Sequence, residues 1–245
     1  MNLLSGLEKF GLDVSEDMDI FEEDKPKTGT GTEAVEKKSD IPTEDMFLLE
    51  KGIRCPVCDK VFKTKMIKNG RVKRLESDKD LRPRHQYIDT LKYDICSCPH
   101  CGYTAMTRFF PHITNVQSKL IKENICSKFH AQIEPEPAVY DYDRALERYK
   151  LSLFNTIVKK GKTSEKAYTC LKIAWLYRGK AETMDAATEE GKAAIAECKK
   201  EEEAFYKQAY DGMLKAVSTE MFPICGMDQG TVAVSYTHLT LPTKA

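Results

Sequence analysis

Four of the chain's nine cysteines fall into two short knuckles, Cys55-Pro-Val-Cys58 and Cys98-Pro-His-Cys101-Gly102. Thiolates spaced C-x-x-C grip one side of a metal ion, and two such pairs complete a closed tetrahedral site of the structural zinc type. A proline after each first cysteine and a glycine after the last suit the tight turns of a knuckle. The expected ligands of a structural Zn2+ are therefore Cys55, Cys58, Cys98 and Cys101. Cys96 offers a competing thiolate two residues before Cys98, and the better bite of a C-x-x-C pair favours Cys98. His85, His100 and His112 are reserve ligands, read as surface or supporting residues. Four thiolates leave no open position for a reactive water, which argues against hydrolysis at this site.

Two other uses of the thiols fit less well. A disulfide framework needs an oxidising compartment. Met1–Leu12 lacks the basic start and apolar run of a secretory signal, because Glu8 and Lys9 interrupt it. A thioredoxin-like motif needs one C-x-x-C opening a helix after a strand, and neither knuckle has those flanks.

The knuckles need rigid β structure to hold them. Val61–Met66 and Arg71–Leu75 flank Lys68-Asn69-Gly70, and an Asn-Gly between strand-like runs predicts a hairpin. That hairpin is basic, and Lys63, Lys65, Lys68, Arg71, Lys73 and Arg74 are candidate nucleic-acid contacts. Tyr93–Cys96 is a predicted strand into the second knuckle. The long spacing between knuckles predicts an ordered insertion over residues 77–90. It holds a charged cluster of Asp78, Asp80 and Asp89 with Arg82, Arg84 and His85, for which structural salt bridges are a sufficient account.

Charge divides the chain. Residues 1–48 carry 13 acidic and 5 basic side chains (net −8), residues 49–130 carry 8 and 17 (net +9), and the rest carry 17 and 16 (net −1). A short amphipathic helix is predicted over residues 1–12, then an acidic disordered linker over 13–45 that has too few apolar residues to offset its ordering entropy. The mean hydropathy of −0.48 and the lack of a run near the roughly 18 apolar residues of a membrane helix fit a soluble, cytoplasmic protein with no membrane partner.

After the zinc-ribbon-like module (46–112) the pattern is helical. Ile113–Phe129 reads as one amphipathic helix, with Val116 and Ile125 on its inner face. Cys126 and His130 lie four apart on it, a pair read as ordinary helix residues rather than a metal site. Ala145, Tyr149, Leu153 and Ile157 stripe the next helix, which Lys159-Lys160-Gly161 closes. Thr163 or Ser164 caps another, carrying Ala167, Leu171 and Trp175. A last helix runs from about Ala187 to Glu220 with Ile195, Phe205, Ala209 and Met213 inward. The small and aromatic residues of these helices fit tetratricopeptide-like helical hairpins over 113–233, where small residues admit close packing and aromatics fill the grooves. The fold class is α+β, mostly α.

Residues 234–245 stand apart: Val234-Ser-Tyr-Thr-His-Leu-Thr-Leu-Pro-Thr243 resembles the translation of a sequencing adapter. The expectation is a non-native tail, with the natural chain continuing past Ala233.

Taken together, these motifs resemble a bacterial family of uncharacterised proteins. The resemblance rests on Gly6-Leu-Glu-Lys-Phe-Gly11, the first knuckle, Asp80-Leu-Arg-Pro83, Tyr93-Asp-Ile-Cys-Ser-Cys-Pro-His-Cys-Gly-Tyr103 and Phe222-Pro-Ile-Cys-Gly-Met-Asp228. It implies a zinc-ribbon-like segment followed by tetratricopeptide-like helices, and Cys96 departs from its pattern. No catalytic residues are identified. The expected function is a non-enzymatic, zinc-stabilised scaffold with a protein- or peptide-binding helical surface; the alternative is a nucleic-acid-binding regulator acting through the basic hairpin.

Overall fold

In a computed structural model, the described residues are 42–68, 70–130, 136–227, 230 and 232. They belong to one of the chain's two compact units, Pro42–Ala245. The predicted helix over 1–12 and all but the last residues of the predicted linker lie outside them, as does the segment 234–245. Residues 42–45 are not linker. They lead into a 3-10 turn, Glu44–Phe47, whose Glu44 carboxylate accepts from Lys92 Nζ at 2.7 Å and from the Tyr93 hydroxyl at 2.8 Å.

Among the described residues the β structure is two separate antiparallel hairpins. Leu48–Arg54 (β1) pairs with Val61–Ile67 (β2), from Leu48 opposite Ile67 to Arg54 opposite Val61. Ile95–Ser97 (β3) pairs with Thr104–Met106 (β4). Each knuckle is therefore the turn of its own hairpin. This corrects the predicted Asn-Gly hairpin: a tight turn does follow β2, with Gly70 at φ +84°, but β2 pairs backwards with β1. Arg71–Leu75 forms only an isolated bridge, Arg74 opposite His85. The reason is physical. Only Val72 and Leu75 are apolar in that run, whereas β1 is held against β2 by the knuckle itself. The strand expected from Tyr93 starts later, because Thr90–Tyr93 is a 3-10 turn capped by the Asp89 side chain.

Among the described residues, helices α1 to α4 follow. Asn115–Ile121 (α1) opens on a capping box made by Thr114 and Gln117 and gives way to a π turn over Lys122–Cys126. The predicted continuous helix to Phe129 is thus broken, and Val116 is 71% exposed rather than inward. Tyr142–Val158 (α2), Thr163–Glu182 (α3) and Glu189–Thr219 (α4) pack in sequence. Cross-contacts fix α3 and α4 as antiparallel: Arg178 meets Glu202, Trp175 meets Tyr206, and Ser164 meets Glu220. Helix α3 is buried on nearly every side, as a helix between two others must be. Close approach explains Gly212 in the interior of α4. A Cβ there would lie 2.8 Å from the Ala167 methyl.

Two helix details differ from expectation. Ile157 is 52% exposed, leaving Ala145 and Tyr149 as the fully buried part of the α2 stripe. Neither Thr163 nor Ser164 caps α3 with its own side chain. Instead the Glu220 carboxylate, just past the end of α4, accepts from the Ser164 N–H at 3.0 Å and the Ser164 hydroxyl at 2.6 Å. A carboxylate there complements the positive end of the helix.

One buried cluster joins Leu91, Ile95 and Met106 to Tyr149, Leu171, Trp175 and Ala209. A second surrounds the knuckles with Val57, Phe62, Tyr103, Phe110, Ile121 and Ile125. The core thus runs across the expected 112/113 division. The fold is α+β and mostly helical. Among the described residues no helix is long and apolar enough to cross a membrane.

Candidate metal centre

The two knuckles have the same backbone geometry. In the first, Cys55 N–H donates to the Lys60 carbonyl at 3.0 Å and Asp59 N–H to the Cys55 carbonyl at 2.9 Å. In the second, Cys98 N–H donates to the Tyr103 carbonyl at 2.9 Å and Gly102 N–H to the Cys98 carbonyl at 3.0 Å. The residue after each second cysteine is left-handed: Asp59 at φ +66°, Gly102 at φ +74°. Glycine and aspartate tolerate that region better than most residues. Gly102 has a second reason to lack a side chain, since a Cβ would sit 2.4 Å from the Phe129 ring.

The sequence brings the four predicted ligands together. The sulfurs of Cys55, Cys58, Cys98 and Cys101 lie within 4.8 Å of one another. Across the knuckles, Cys55 Sγ is 3.7 Å from Cys101 Sγ and Cys58 Sγ is 3.6 Å from Cys98 Sγ. A tetrahedron of zinc–sulfur bonds of about 2.3 Å has edges of about 3.8 Å, so the cage fits one tetrahedral ion. All four cysteines are free, and their sulfurs lie well beyond the roughly 2.05 Å of a disulfide. The Cys101 and Cys55 thiols nearby hold the Cys98 thiol down toward its thiolate form, while the Cys101 thiol is pushed up by Cys55 and Cys98. The Val57 N–H points at Cys55 Sγ from 3.5 Å, as a backbone dipole stabilising thiolate charge would. An all-sulfur tetrahedral donor set suits zinc or a single iron. It is closed, which is structural rather than catalytic geometry.

Cys96 stands outside the four. It is 1% exposed on β3, and burial pushes its thiol up to about 12, which keeps it protonated. Among the described residues, none of His85, His100, His112 and His130 joins the cage. Cys126 is not a ligand either, but it lines a cavity beside Cys58 and Cys101.

Two residues that support the site were not legible in the sequence. Asn155 of α2 is fully buried; its Oδ1 accepts from the Thr104 N–H and its Nδ2 donates to the Gly102 carbonyl, both at 3.2 Å. It thereby fixes the exit of the second knuckle. Arg148 Nη2 donates to the Ile95 carbonyl at 2.8 Å and holds β3. Both read as unremarkable positions on a helix, and only the packing of α2 on the second hairpin gives them a role.

The basic candidates do not assemble into one face of free cations. Lys65 is buried, and both it and Lys63 pair with Glu50, at 3.7 and 3.4 Å. Lys68 Nζ donates to the Met46 carbonyl at 3.0 Å, and Arg74 bonds Ser77. Arg71 and Lys73 are exposed. The charged cluster of the insertion is an ion-pair network onto the helices: Arg82, 2% exposed, reaches Asp89 at 3.5 Å and Glu182 at 3.1 Å, and Arg178 reaches Asp80 at 3.0 Å.

No curated protein and no solved structure matches the chain. A family model does, over residues 48–244, which takes in both knuckles, all four helices and most of the segment after Ala233 that composition sets apart. With about four-fifths of its length so covered, the chain belongs to the bacterial family described as "Uncharacterized protein conserved in bacteria (DUF2225)".

Proposed function

We propose that this protein is a non-enzymatic, cytoplasmic scaffold in which a structural Zn2+ at Cys55, Cys58, Cys98 and Cys101 holds a two-hairpin module against a tetratricopeptide-like helical surface that binds a protein or peptide. The observation that carries the metal reading is the sulfur cage, with cross-knuckle edges of 3.6 and 3.7 Å. Four thiolates saturate a tetrahedral ion and leave no place for substrate, so the ion's work is to fix the fold. Support for a binding role comes from the outer face of α2, where Phe154 and Ile157 are each 52% exposed, one helical turn apart. Large apolar side chains grouped on a helix face are characteristic of docking surfaces.

Native mass spectrometry of the full chain tests the metal reading, with one Zn2+ per chain as the expected result and a metal-free chain as the result that overturns it. Capture of partners by the full natural protein, repeated with Phe154→Asp/Ile157→Asp, tests the binding role. Partners retained equally by both forms would exclude this face.

A further inference from the structure

We infer that the outer edge of β1 is a self-pairing edge, through which two copies of this chain join by antiparallel β1–β1 pairing about a two-fold axis at Gly52. Neither a bound metal nor the exposed face of α2 is needed for it.

Strand β1 has a neighbour on one side only. Among the described residues its sheet has two strands, and β2 is the sole partner of β1. The phase of the ladder says which backbone groups are left over. Cys55 N–H donates to the Lys60 carbonyl and Lys68 N–H to the Phe47 carbonyl, both in the register of the β1–β2 pair. Successive residues of a strand turn their backbone groups to opposite edges. The odd-numbered residues of β1 therefore face β2, and Glu50, Gly52 and Arg54 face outward. The N–H and C=O groups of these three meet no hydrogen-bond partner among the described residues. Glu50, Lys51, Gly52 and Arg54 are all exposed.

Open edges are commonly blocked by a proline or a bulge. Strand β1 contains no proline, and its seven residues pair with β2 without a break in register. Its charges select a register rather than forbid pairing. Outward groups must meet outward groups, which leaves few ways to lay one β1 against another. With Gly52 opposite the partner's Gly52, Glu50 lies opposite the partner's Arg54 and Arg54 opposite the partner's Glu50, all on one face of the joined sheet. Opposite charges directly across a strand pair stabilise it, and like charges there destabilise it. One step toward the N-terminus sets Lys51 against the partner's Lys51, and the next sets Glu50 against the partner's Glu50. One step toward the C-terminus breaks both ion pairs and puts Glu50 opposite the partner's Pro56, which has no N–H to give. Of these registers, only the one centred on Gly52 joins unlike charges.

Both side chains can make the contact. Arg54 is tied to Asp59 at 3.6 Å, with both side chains largely exposed. Glu50 is 56% exposed beside Lys63 and Lys65, which leaves it room for a further cation. Pairing of this kind draws its affinity from main-chain hydrogen bonds and needs no apolar patch. Two seven-residue edges bury less than a standard interface, so dimers are expected at roughly 10–100 μM chain, and the single chain is the species present in dilute denaturation experiments.

The test is sedimentation equilibrium of the full chain as purified, from about 1 to 500 μM. A reversible shift from one-chain to two-chain mass is expected. Arg54→Glu alone and Glu50→Arg alone should each weaken dimerisation roughly tenfold or more. An equimolar mixture of the two should regain it, because one variant then presents two acidic and the other two basic side chains at the paired positions. Gly52→Pro removes an N–H that the β1–β2 ladder does not use, so it is expected to keep the far-UV spectrum and remain at one-chain mass throughout. A wild-type chain that stays at one-chain mass at every concentration overturns the inference and leaves the edge to an extended segment of another protein. A dimer indifferent to Gly52→Pro and to both charge variants overturns it too, by placing the contact elsewhere. If Gly52→Pro does not fold, the mixture decides: recovery of the dimer supports the inference, and failure to recover it overturns it.

Discussion

Trp175 donates its indole N–H to a carboxylate oxygen of Asp80, 2.8 Å away, across 95 positions of sequence. The Tyr206 hydroxyl is 3.0 Å from the same nitrogen, and Arg178 reaches the same Asp80 oxygen at 3.0 Å. A single contact thus ties the insertion between the knuckles to the middle of α3 and to α4.

Removing that donor leaves the buried carboxylate short of a partner, which costs about 1–3 kcal/mol. Trp175→Phe is expected to lower stability by that amount in urea denaturation followed by circular dichroism, and Trp175→Ala by about 3–5 kcal/mol because a large core side chain is lost as well. A neutral Trp175→Phe would show that Asp80 does not depend on the indole.

Arg82 is 2% exposed among Asp78, Asp89 and Glu182. Arg82→Met strips the cation from three carboxylates and is predicted to cost about 3–5 kcal/mol, the usual penalty for breaking a buried ion pair from one side. The exposed pair Arg54–Asp59 serves as comparison; Arg54→Ala should leave the urea midpoint unmoved. Equal effects of the two substitutions would contradict the network's role.

His85 is held below its ordinary imidazole value, chiefly by burial and then by the Arg74 charge. Folding therefore favours its neutral form. The resulting stability is present above the unfolded value of 6.5 and is lost as pH falls below it through the folded value. Between pH 7.5 and pH 5.5 the wild-type urea midpoint is expected to fall further than that of His85→Gln. Parallel pH profiles would remove His85 from the account.

Glu220 caps a helix other than its own. Glu220→Ala leaves the Ser164 N–H and hydroxyl without their acceptor and is expected to cost about 1 kcal/mol, in the range of lost helix caps. Hydrogen exchange at the first turn of α3 should quicken selectively. Unchanged protection there would mean that another acceptor replaces the carboxylate.

What the sequence made legible is what depends on near neighbours. The ligand cysteines were readable because a knuckle is written within six residues. The three long helices were readable because an apolar stripe repeats every turn, and their ends fell close to expectation; the helix expected over Ile113–Phe129 instead stops at Ile121 in a π turn. Misreadings arose where distant residues decide. Asn69-Gly70 has the composition of a hairpin turn, yet the strand that pairs with β2 comes before the first knuckle. Ser164 resembles a cap, but its acceptor lies 56 residues away. Asn155 and Arg148 had no local signal at all, because their role is to hold backbone that precedes them by more than 50 residues.

Chelation of the metal, or Cys55→Ser, is expected to loosen the helices along with the hairpins, so that far-UV and near-UV signals are lost in one transition. Two separated transitions would instead mean that the helices stand alone.

The core shared by β3, β4 and α2 also bears on any attempt to divide this chain. A fragment begun at residue 113 would strip Ile95 and Met106 from Ala145 and Tyr149 and turn an interior wall of α2 into wetted surface. The knuckle half, cut off alone, would keep its cysteines but lose the Asn155 amide that steadies the loop after Cys101. Neither piece is a miniature of the whole, and scissors placed between ribbon and helices would yield two sticky remnants rather than two proteins.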